Sequence, residues 1–185
     1  MTEVRVGHLT IECVRGDIAN QPDIDVVVNA ANAALRPGSG VAGALHRAAG
    51  PGLYEECRSL APIAPGDAVI TGGHGLPNPW VIHCLGPVYG RDRPEAELLA
   101  ACYRNALRIA DERRLASIAF PALSTGVFGY PMADAAEVAF RTVLAASKHL
   151  SSVTRVRFVL FGEDDLAVHQ AVLTKVLSGP GEPSA

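Results

Sequence analysis

The sequence of 185 residues has few aromatic side chains, no excess of basic residues and no long apolar run. Phe, Trp and Tyr make up only 5% of it, so few side chains are available for stacking against the bases of a single-stranded nucleic acid. Sixteen Lys and Arg residues against nineteen Asp and Glu residues give a formal net charge of −3. This balance argues against the broad basic surface of a duplex-DNA-binding protein. We therefore do not expect a nucleic-acid partner.

The sequence also lacks the signals of secretion, of membrane insertion and of common metal sites. Residues 1–5 form neither the basic nor the apolar part of a signal peptide. Apolar runs such as residues 26–28 are far shorter than the roughly 20 residues of a membrane helix. No two of the four cysteines form a CxxC pair, which argues against zinc and thioredoxin-like sites. These absences predict a cytoplasmic protein with reduced thiols, no membrane partner, no metal and no cofactor.

The sequence does contain alternating strand-like and helix-like segments. The strand patterns cover Leu9–Val14, Asp25–Asn29, Asp67–Thr71, Trp80–Cys84, Ala116–Phe120 and Val156–Phe161, and the turn residues between the third and fourth predict a hairpin. Apolar stripes predict helices over 99–110, 136–143 and 166–176, the last capped by Asp164 or Asp165, and shorter helices from Val41 and from Leu53 to Leu60. This alternation predicts an α/β/α sandwich with a largely parallel sheet, formed by one domain over 1–177 and followed by a flexible tail, 178–185.

Open α/β sheets bind ligands at the carboxyl ends of their strands, and polar residues follow two of the predicted strands. Asp17 follows the first, and its alternative role is to cap a turn. Asn29 and Asn32 follow the second and could present amide groups to a polar ligand, or could be two turn residues.

Two glycine-bearing loops precede predicted helices. Residues 38–43 match GxGxxG, but Gly38 lies nine positions after Asn29 and no acidic strand end follows at the required distance, which excludes a dinucleotide fingerprint. The second loop, 121–131, has no GK[ST] sequence of a Walker P-loop, and Ser124 lacks the GxSxG elbow of serine hydrolases. Both loops can still offer backbone N–H groups to an anion. They predict an anionic, nucleotide-like ligand.

Four segments together resemble the macrodomain family, in particular its MacroD-like and viral branches. They are, in this order, Asp25–Asn32, Gly38–Gly50, Val81–Pro87 and Pro121–Pro131, and the resemblance extends over roughly Val6 to Leu177. It implies a mixed sheet of six or seven strands in a three-layer α/β/α sandwich, with a cleft for ADP-ribose. It also implies hydrolysis of mono-ADP-ribose from modified proteins, or deacetylation of O-acetyl-ADP-ribose.

The resemblance implies a role for individual residues. Asp17 would accept a hydrogen bond from the adenine amino group, assisted by the Ile18 backbone, and Phe161 would pack near the adenine unless it is an ordinary core residue. Asn32 would bind the distal ribose. The diphosphate would be faced on one side by the backbone of Ser39, Gly40 and Val41, and on the other by that of Ser124, Thr125, Gly126, Val127 and Phe128. Phe128 would also pack against the distal ribose.

The sequence departs from the MacroD-like pattern at Ala42, where those enzymes carry an aspartate that helps to position the attacking water. His46 lies four residues later, on the same helix face, and could exchange a proton near neutral pH, although a structural role is the alternative. A second route needs no protein base, because the phosphate of the ligand could orient the water while Asn32 fixes the geometry.

Three functions therefore remain open at this point. The first is a hydrolase that uses Asn32 and His46, acting on O-acetyl-ADP-ribose or on mono-ADP-ribosylated proteins. The second is a non-catalytic reader of ADP-ribose, suggested by Ala42. The third is another nucleotide-handling module, such as one acting on RNA ends or as a phosphatase.

Overall fold

Strands and helices alternate along the chain in the computed structural model, which describes residues 1–179. The strands are β1 (Thr2–Val6), β2 (Leu9–Arg15), β3 (Val26–Ala30), β4 (Ala68–Gly72), β5 (Trp80–Cys84), β6 (Ser117–Phe120) and β7 (Arg155–Leu160). The helices are α1 (Gly40–Ala49), α2 (Pro51–Cys57), α3 (Glu95–Glu112), α4 (Met132–Ser147) and α5 (Glu163–Leu177). Every segment that the sequence analysis predicted as a strand or helix is present, with shifts of a few residues at the ends.

The strands form one mixed sheet in the order β1-β2-β7-β6-β3-β5-β4. The inner strands pair in parallel, whereas β1 is antiparallel to β2 at one edge and β4 is antiparallel to β5 at the other. The predicted hairpin between β4 and β5 is therefore confirmed. Because the parallel strands β2, β3, β6 and β7 end at the same edge of the sheet, the loops that follow them meet there.

Helices cover both faces of the sheet, which confirms the three-layer sandwich. On one face, α3, α4 and α5 bury a cluster of aromatic rings in which Phe158 contacts Tyr103, Phe120 and Phe140. On the other face, α1 and α2 pack apolar side chains, such as Leu45 and Leu53, against the central strands. The site therefore lies on a sheet that is held rigidly from both sides.

Two details of the fold differ from the sequence predictions. β1 was not predicted, because its charged side chains Glu3 and Arg5 give it little of the apolar character of a strand, and it pairs only with β2 at the edge of the sheet. The N-cap of α5 is Gly162, so the assignment of Asp164 or Asp165 as the cap is wrong. Both carboxylates lie in the first turn, where the helix dipole favours negative charge.

The described part of the chain ends two residues after α5. Ser178 is the C-cap of α5, and most of the predicted tail, residues 180–185, lies outside the described part of the chain. Within residues 1–179, none of the helices combines the length and the apolar character needed to cross a membrane.

Candidate functional site

A cavity of about 530 Å³ opens where the loops after β3, β6 and β7 meet. Its wall includes Asn32, residues 38–42, residues 121–128 and residues 159–161. The volume lies within the range of about 300–1,000 Å³ that is common for small-molecule sites. The two glycine-bearing loops singled out from the sequence therefore form opposite walls of a single cavity.

The first wall is the N-terminus of α1. Ser39 is the N-cap, but its side chain makes no capping hydrogen bond within residues 1–179, and the first backbone N–H groups of the helix find no partner there. Gly40 has a φ of +57°, a conformation that strains other residues, and a Cβ at Gly43 would collide with the carbonyl of Gly38. The glycines thus let this wall fold back on itself and direct unpaired N–H groups and the positive helix end toward an anion.

The second wall is the loop between β6 and α4. Ser124 has a φ of +67°, and its buried Oγ has no hydrogen-bond partner among the described residues. The loop is curled by two backbone hydrogen bonds, from Tyr130 to Ser124 (2.9 Å) and from Gly129 to Gly126 (3.0 Å). The backbone N–H groups of residues 126–128 find no partner within residues 1–179. This wall is therefore a second set of free amide donors.

Asn32 is held in one orientation at the cavity wall. Its Nδ2 donates to the Arg36 carbonyl and its Oδ1 accepts from the Arg36 N–H, both at 2.9 Å. Asn32 therefore does stabilise a turn, which is the alternative role that the sequence left open for it. Among the described residues, the amide keeps one N–H free, because each bond to Arg36 uses only one of its positions.

Aromatic and aliphatic side chains line the mouth of the cavity. Phe161 and Val127 are both 92% exposed and both line it, so the alternative of Phe161 as a core residue is wrong. Phe128 is half-buried against the α1–α2 layer, and its carbonyl accepts a hydrogen bond from Tyr89 (2.8 Å). The mouth therefore offers apolar surface to a ligand at two separate places.

Asp17 lies beside the cavity and not in its wall, and the same is true of Ile18. Oδ1 of Asp17 accepts a hydrogen bond from the Ala19 N–H (2.9 Å), as the turn-capping interpretation predicted, while Oδ2 has no partner within residues 1–179. The side chain of Ile18 is buried in the core. A hydrogen bond from Gly16 to the Leu160 carbonyl (3.0 Å) ties this turn to the end of β7, next to Phe161.

His46 lies one helical turn beyond Ala42 in α1 and is not part of the cavity wall. It does not line the cavity, it is only 6% exposed, and its ring packs edge-on against Tyr54. Both ring nitrogens are buried without partners in the described part of the chain, and burial lowers the pKa of His46. The structure therefore favours the structural alternative for this histidine over a role in proton transfer.

The cavity wall contains one ionisable residue that was not expected in the site from the sequence. Asp165, in the first turn of α5, is the one ionisable side chain that lines the cavity within residues 1–179. The sequence indicates it only as a helix cap, although its position just after β7 is a signal for a site residue. Within the same residues, no three His, Cys, Asp or Glu side chains are grouped to hold a metal ion.

Comparison with known proteins identifies this arrangement. A family model described as "Macro domain" matches residues 28–139, which include both walls of the cavity. The chain belongs to the Macro domain family. This macrodomain is 47% identical over 167 residues to an O-acetyl-ADP-ribose deacetylase of Klebsiella pneumoniae, covering 88% of this chain and 95% of the relative.

Solved structures agree with this assignment. The Oceanobacillus iheyensis macrodomain with ADP has a TM-score of 0.92 and 38% identity to this macrodomain, and the match covers 96% of both chains. The Trypanosoma brucei macrodomain in complex with ADP-ribose has a TM-score of 0.80 and 35% identity, covering 87% of this chain and 68% of the other. The fold and family expected from the sequence are thus confirmed.

Proposed function

We propose that this macrodomain binds ADP-ribose and hydrolyses bonds at its distal ribose, as in the ester of O-acetyl-ADP-ribose. The observation that carries the proposal is the pair of facing walls, each with free backbone N–H groups, on one cavity of suitable volume. The names of the relatives support the same ligand, since one is called an O-acetyl-ADP-ribose deacetylase and another was solved with ADP-ribose.

The diphosphate fits between the two walls for an electrostatic reason. The backbone of Ser39, Gly40 and Val41 would face one phosphate together with the positive end of α1. The second wall, from Ser124 through Thr125, Gly126 and Val127 to Phe128, would face the other. Amide dipoles fixed in this way need no reorganisation when the anion enters.

The two ends of the ligand follow from the positions of the side chains. At one end, Phe161 offers a face for the adenine, and the free Oδ2 of Asp17 is available for its amino group, with the Ile18 backbone beside it. At the other end, Asn32 would donate its free N–H to the distal ribose, and Phe128 would pack against that sugar. Asp165 can accept a hydroxyl hydrogen near Phe161.

The hydrolytic step must proceed without a protein base at the distal end, since Ala42 offers only a methyl group there and His46 lies elsewhere. Water would instead be oriented by a phosphate oxygen of the substrate, while Asn32 and the loop amides hold the ribose. Positioning alone can lower a barrier by as much as about 7–11 kcal/mol in the best model reactions.

We extend the proposal to mono-ADP-ribosylated proteins because of their bond chemistry. An acyl ester between ADP-ribose and an Asp or Glu side chain presents the same kind of carbonyl group as the acetyl ester. Water attacks that carbonyl carbon in both cases, and the ribose hydroxyl leaves with the proton. The glycosidic carbon of other conjugates lies on the same distal sugar.

The test is a time course of ADP-ribose release from O-acetyl-ADP-ribose and from proteins that carry ADP-ribose on Asp or Glu, Ser or Arg. We expect multiple turnovers by the wild type and a loss of about 100-fold in kcat for Asn32→Ala, because the ribose is then held less accurately. Asn105→Ala is the matched control, since Asn105 also donates to a backbone carbonyl (Gly66, 2.9 Å) but lies outside the cavity wall.

Ala42 favours a second function, that of a reader which binds ADP-ribose without cleaving it. The side chain is buried at the cavity wall and supplies no polar atom. ADP-ribose binding without release of product from any of these substrates would support the reader. Failure of ADP-ribose to bind folded protein, with binding of another nucleotide, would contradict both functions.

A further inference from the structure

A chain of buried polar side chains supports the turn that carries Asp17. Gln21 Nε2 donates to the Asp17 carbonyl (2.8 Å), and Arg157 Nη1 donates to Gln21 Oε1 (2.8 Å). Arg157 Nε in turn donates to Glu12 Oε2 (2.6 Å). Gln21, Arg157 and Glu12 are all less than 10% exposed. The sheet is thus connected to the turn by hydrogen bonds that water scarcely reaches.

The same loop is fixed at its far end. Asn78 Nδ2 donates to the carbonyls of Gln21 and Ile24, both at 2.7 Å. The guanidinium of Arg157 donates to both carboxylate oxygens of Asp23, and these hydrogen bonds lower the pKa of Asp23. Asp23 therefore stays ionised at neutral pH, and the network keeps its charge balance. The loop between β2 and β3 has little freedom to shift.

Buried hydrogen bonds and ion pairs are not needed merely to hold the loop between β2 and β3 in place. Apolar side chains of similar volume often stabilise a buried position as well as an ion pair does, whereas hydrogen bonds also fix direction. Gln21 is the link that converts the fixed position of Arg157 into a fixed position of the Asp17 carbonyl. In the side chain of Asp17, the hydrogen bond from the Ala19 N–H holds Oδ1, and Oδ2 has no partner among the described residues.

We propose that Gln21, held by Arg157, is a positioning residue that sets the carboxylate of Asp17 for recognition of the 6-amino group of the purine. This inference rests on the proposed function, since it needs ADP-ribose in the cavity. It adds a specificity: the site selects adenine over a purine that carries oxygen at position 6, because a carboxylate accepts from an amino group and repels a carbonyl oxygen.

The experiment compares ADP-ribose with inosine diphosphate ribose by calorimetric titration. We expect the wild type to bind ADP-ribose at least about tenfold more tightly, the usual effect of one hydrogen bond to a charged group. Gln21→Met, of similar length, should lose most of this ratio through weaker ADP-ribose binding, with inosine diphosphate ribose bound within about twofold of wild type. Gln170→Met is the control, because the Gln170 side chain also donates a hydrogen bond (to Thr2 Oγ1, 2.7 Å) but takes no part in the network that holds the turn.

Gln21→Glu is the second variant and covers the case in which Gln21→Met does not fold. Its carboxylate can still accept from Arg157 but cannot donate to the Asp17 carbonyl, so the ratio should fall while thermal stability is kept. An unchanged ratio in a folded Gln21 variant, or an equal loss for both ligands, would overturn the inference and leave the proposed function standing. Absence of ADP-ribose binding by the wild type would overturn both.

Discussion

Single glycines determine how closely an anion can approach the cavity wall. Gly40 lines the cavity, and a Cβ there would meet no other atom of residues 1–179 within 4 Å, so a longer side chain could enter the space proposed for the diphosphate. We expect Gly40→Glu to abolish ADP-ribose binding in calorimetric titration, because it places bulk and a negative charge against a phosphate.

The control for this variant is Gly7→Glu. Gly7 has a φ of +61°, close to the +57° of Gly40, and a Cβ added there would also meet no described residue within 4 Å, but it lies in the β1–β2 turn. Both variants carry the same backbone strain and the same charge, so a loss of affinity limited to Gly40→Glu is due to its place at the cavity. Unchanged affinity in folded Gly40→Glu would contradict our placement of the diphosphate.

The residues of the site differ in how far the sequence could predict them. Loop glycines and Asn32 follow strands and precede helices, which are local features, and the structure brings them together as expected. The exposure of Phe161 depends on β7 ending one residue earlier, at Leu160, and the burial of His46 depends on how α1 lies against Tyr54. Such properties arise from tertiary packing, and periodicity alone cannot predict them.

At the scale of elements, the first turn of α1 is where a carboxylate would have most effect. Ala42→Asp would add a negative charge near the positive end of the helix, which stabilises it, and would supply an acceptor for a water proton at the cavity wall. We expect the rate constant of hydrolysis to rise by about 100-fold, the lower range for general acid–base catalysis, in single-turnover assays with O-acetyl-ADP-ribose.

Ala42→Asn is the matched control, because it has nearly the same size and no charge. An equal gain for Ala42→Asn would indicate an effect of packing or of hydrogen bonding, and no gain for Ala42→Asp would show that a carboxylate at this position does not take part in the reaction. A gain limited to Ala42→Asp would support a mechanism in which the new carboxylate deprotonates the water in the variant, whereas the substrate orients the water in the wild type.

The sequence predicts an element best when a strand is apolar on both faces or when a helix has one clear apolar stripe. β3 and β6 are buried over almost their whole length and are indicated by their runs of apolar residues, whereas α3 is indicated by the helical spacing of its apolar stripe from Leu99. β1 was missed because its stability comes from pairing with β2 and not from its own apolar content. The start of α5 was displaced because three acidic residues in succession offered competing caps.

The whole molecule should lose stability in mild acid. Burial lowers the pKa of His83 to about 3, and burial also lowers the pKa values of His46 and His169. The unfolded chain, with histidine pKa values near 6.5, therefore binds more protons than the folded protein below that pH. The contribution of these histidines to the free energy of unfolding is at its full value above pH 6.5. It decreases as the pH falls below 6.5, by about 1.4 kcal/mol per pH unit for each fully titrating group.

Urea unfolding at pH 7 and pH 5 measures this loss. The ring of His83 is held by Asn29 (3.0 Å) and Thr71 (2.9 Å), and His83→Gln should reduce the difference between the two pH values even if it lowers stability at both. His149→Gln, an exposed histidine, is the control. An identical pH difference in wild type and His83→Gln would show that His83 does not contribute.

The wall of the cavity contains no lysine or arginine among residues 1–179, and the whole chain already carries a net charge of −3. A diphosphate bound there would pair with no basic side chain of the wall and would make the complex still more negative. Added salt screens that repulsion and has no cation–phosphate pairs at the wall to weaken. The affinity for ADP-ribose should therefore stay constant or rise slightly between about 20 and 200 mM NaCl, whereas proteins that bind the phosphates of nucleic acids with basic side chains lose affinity steeply over such a range.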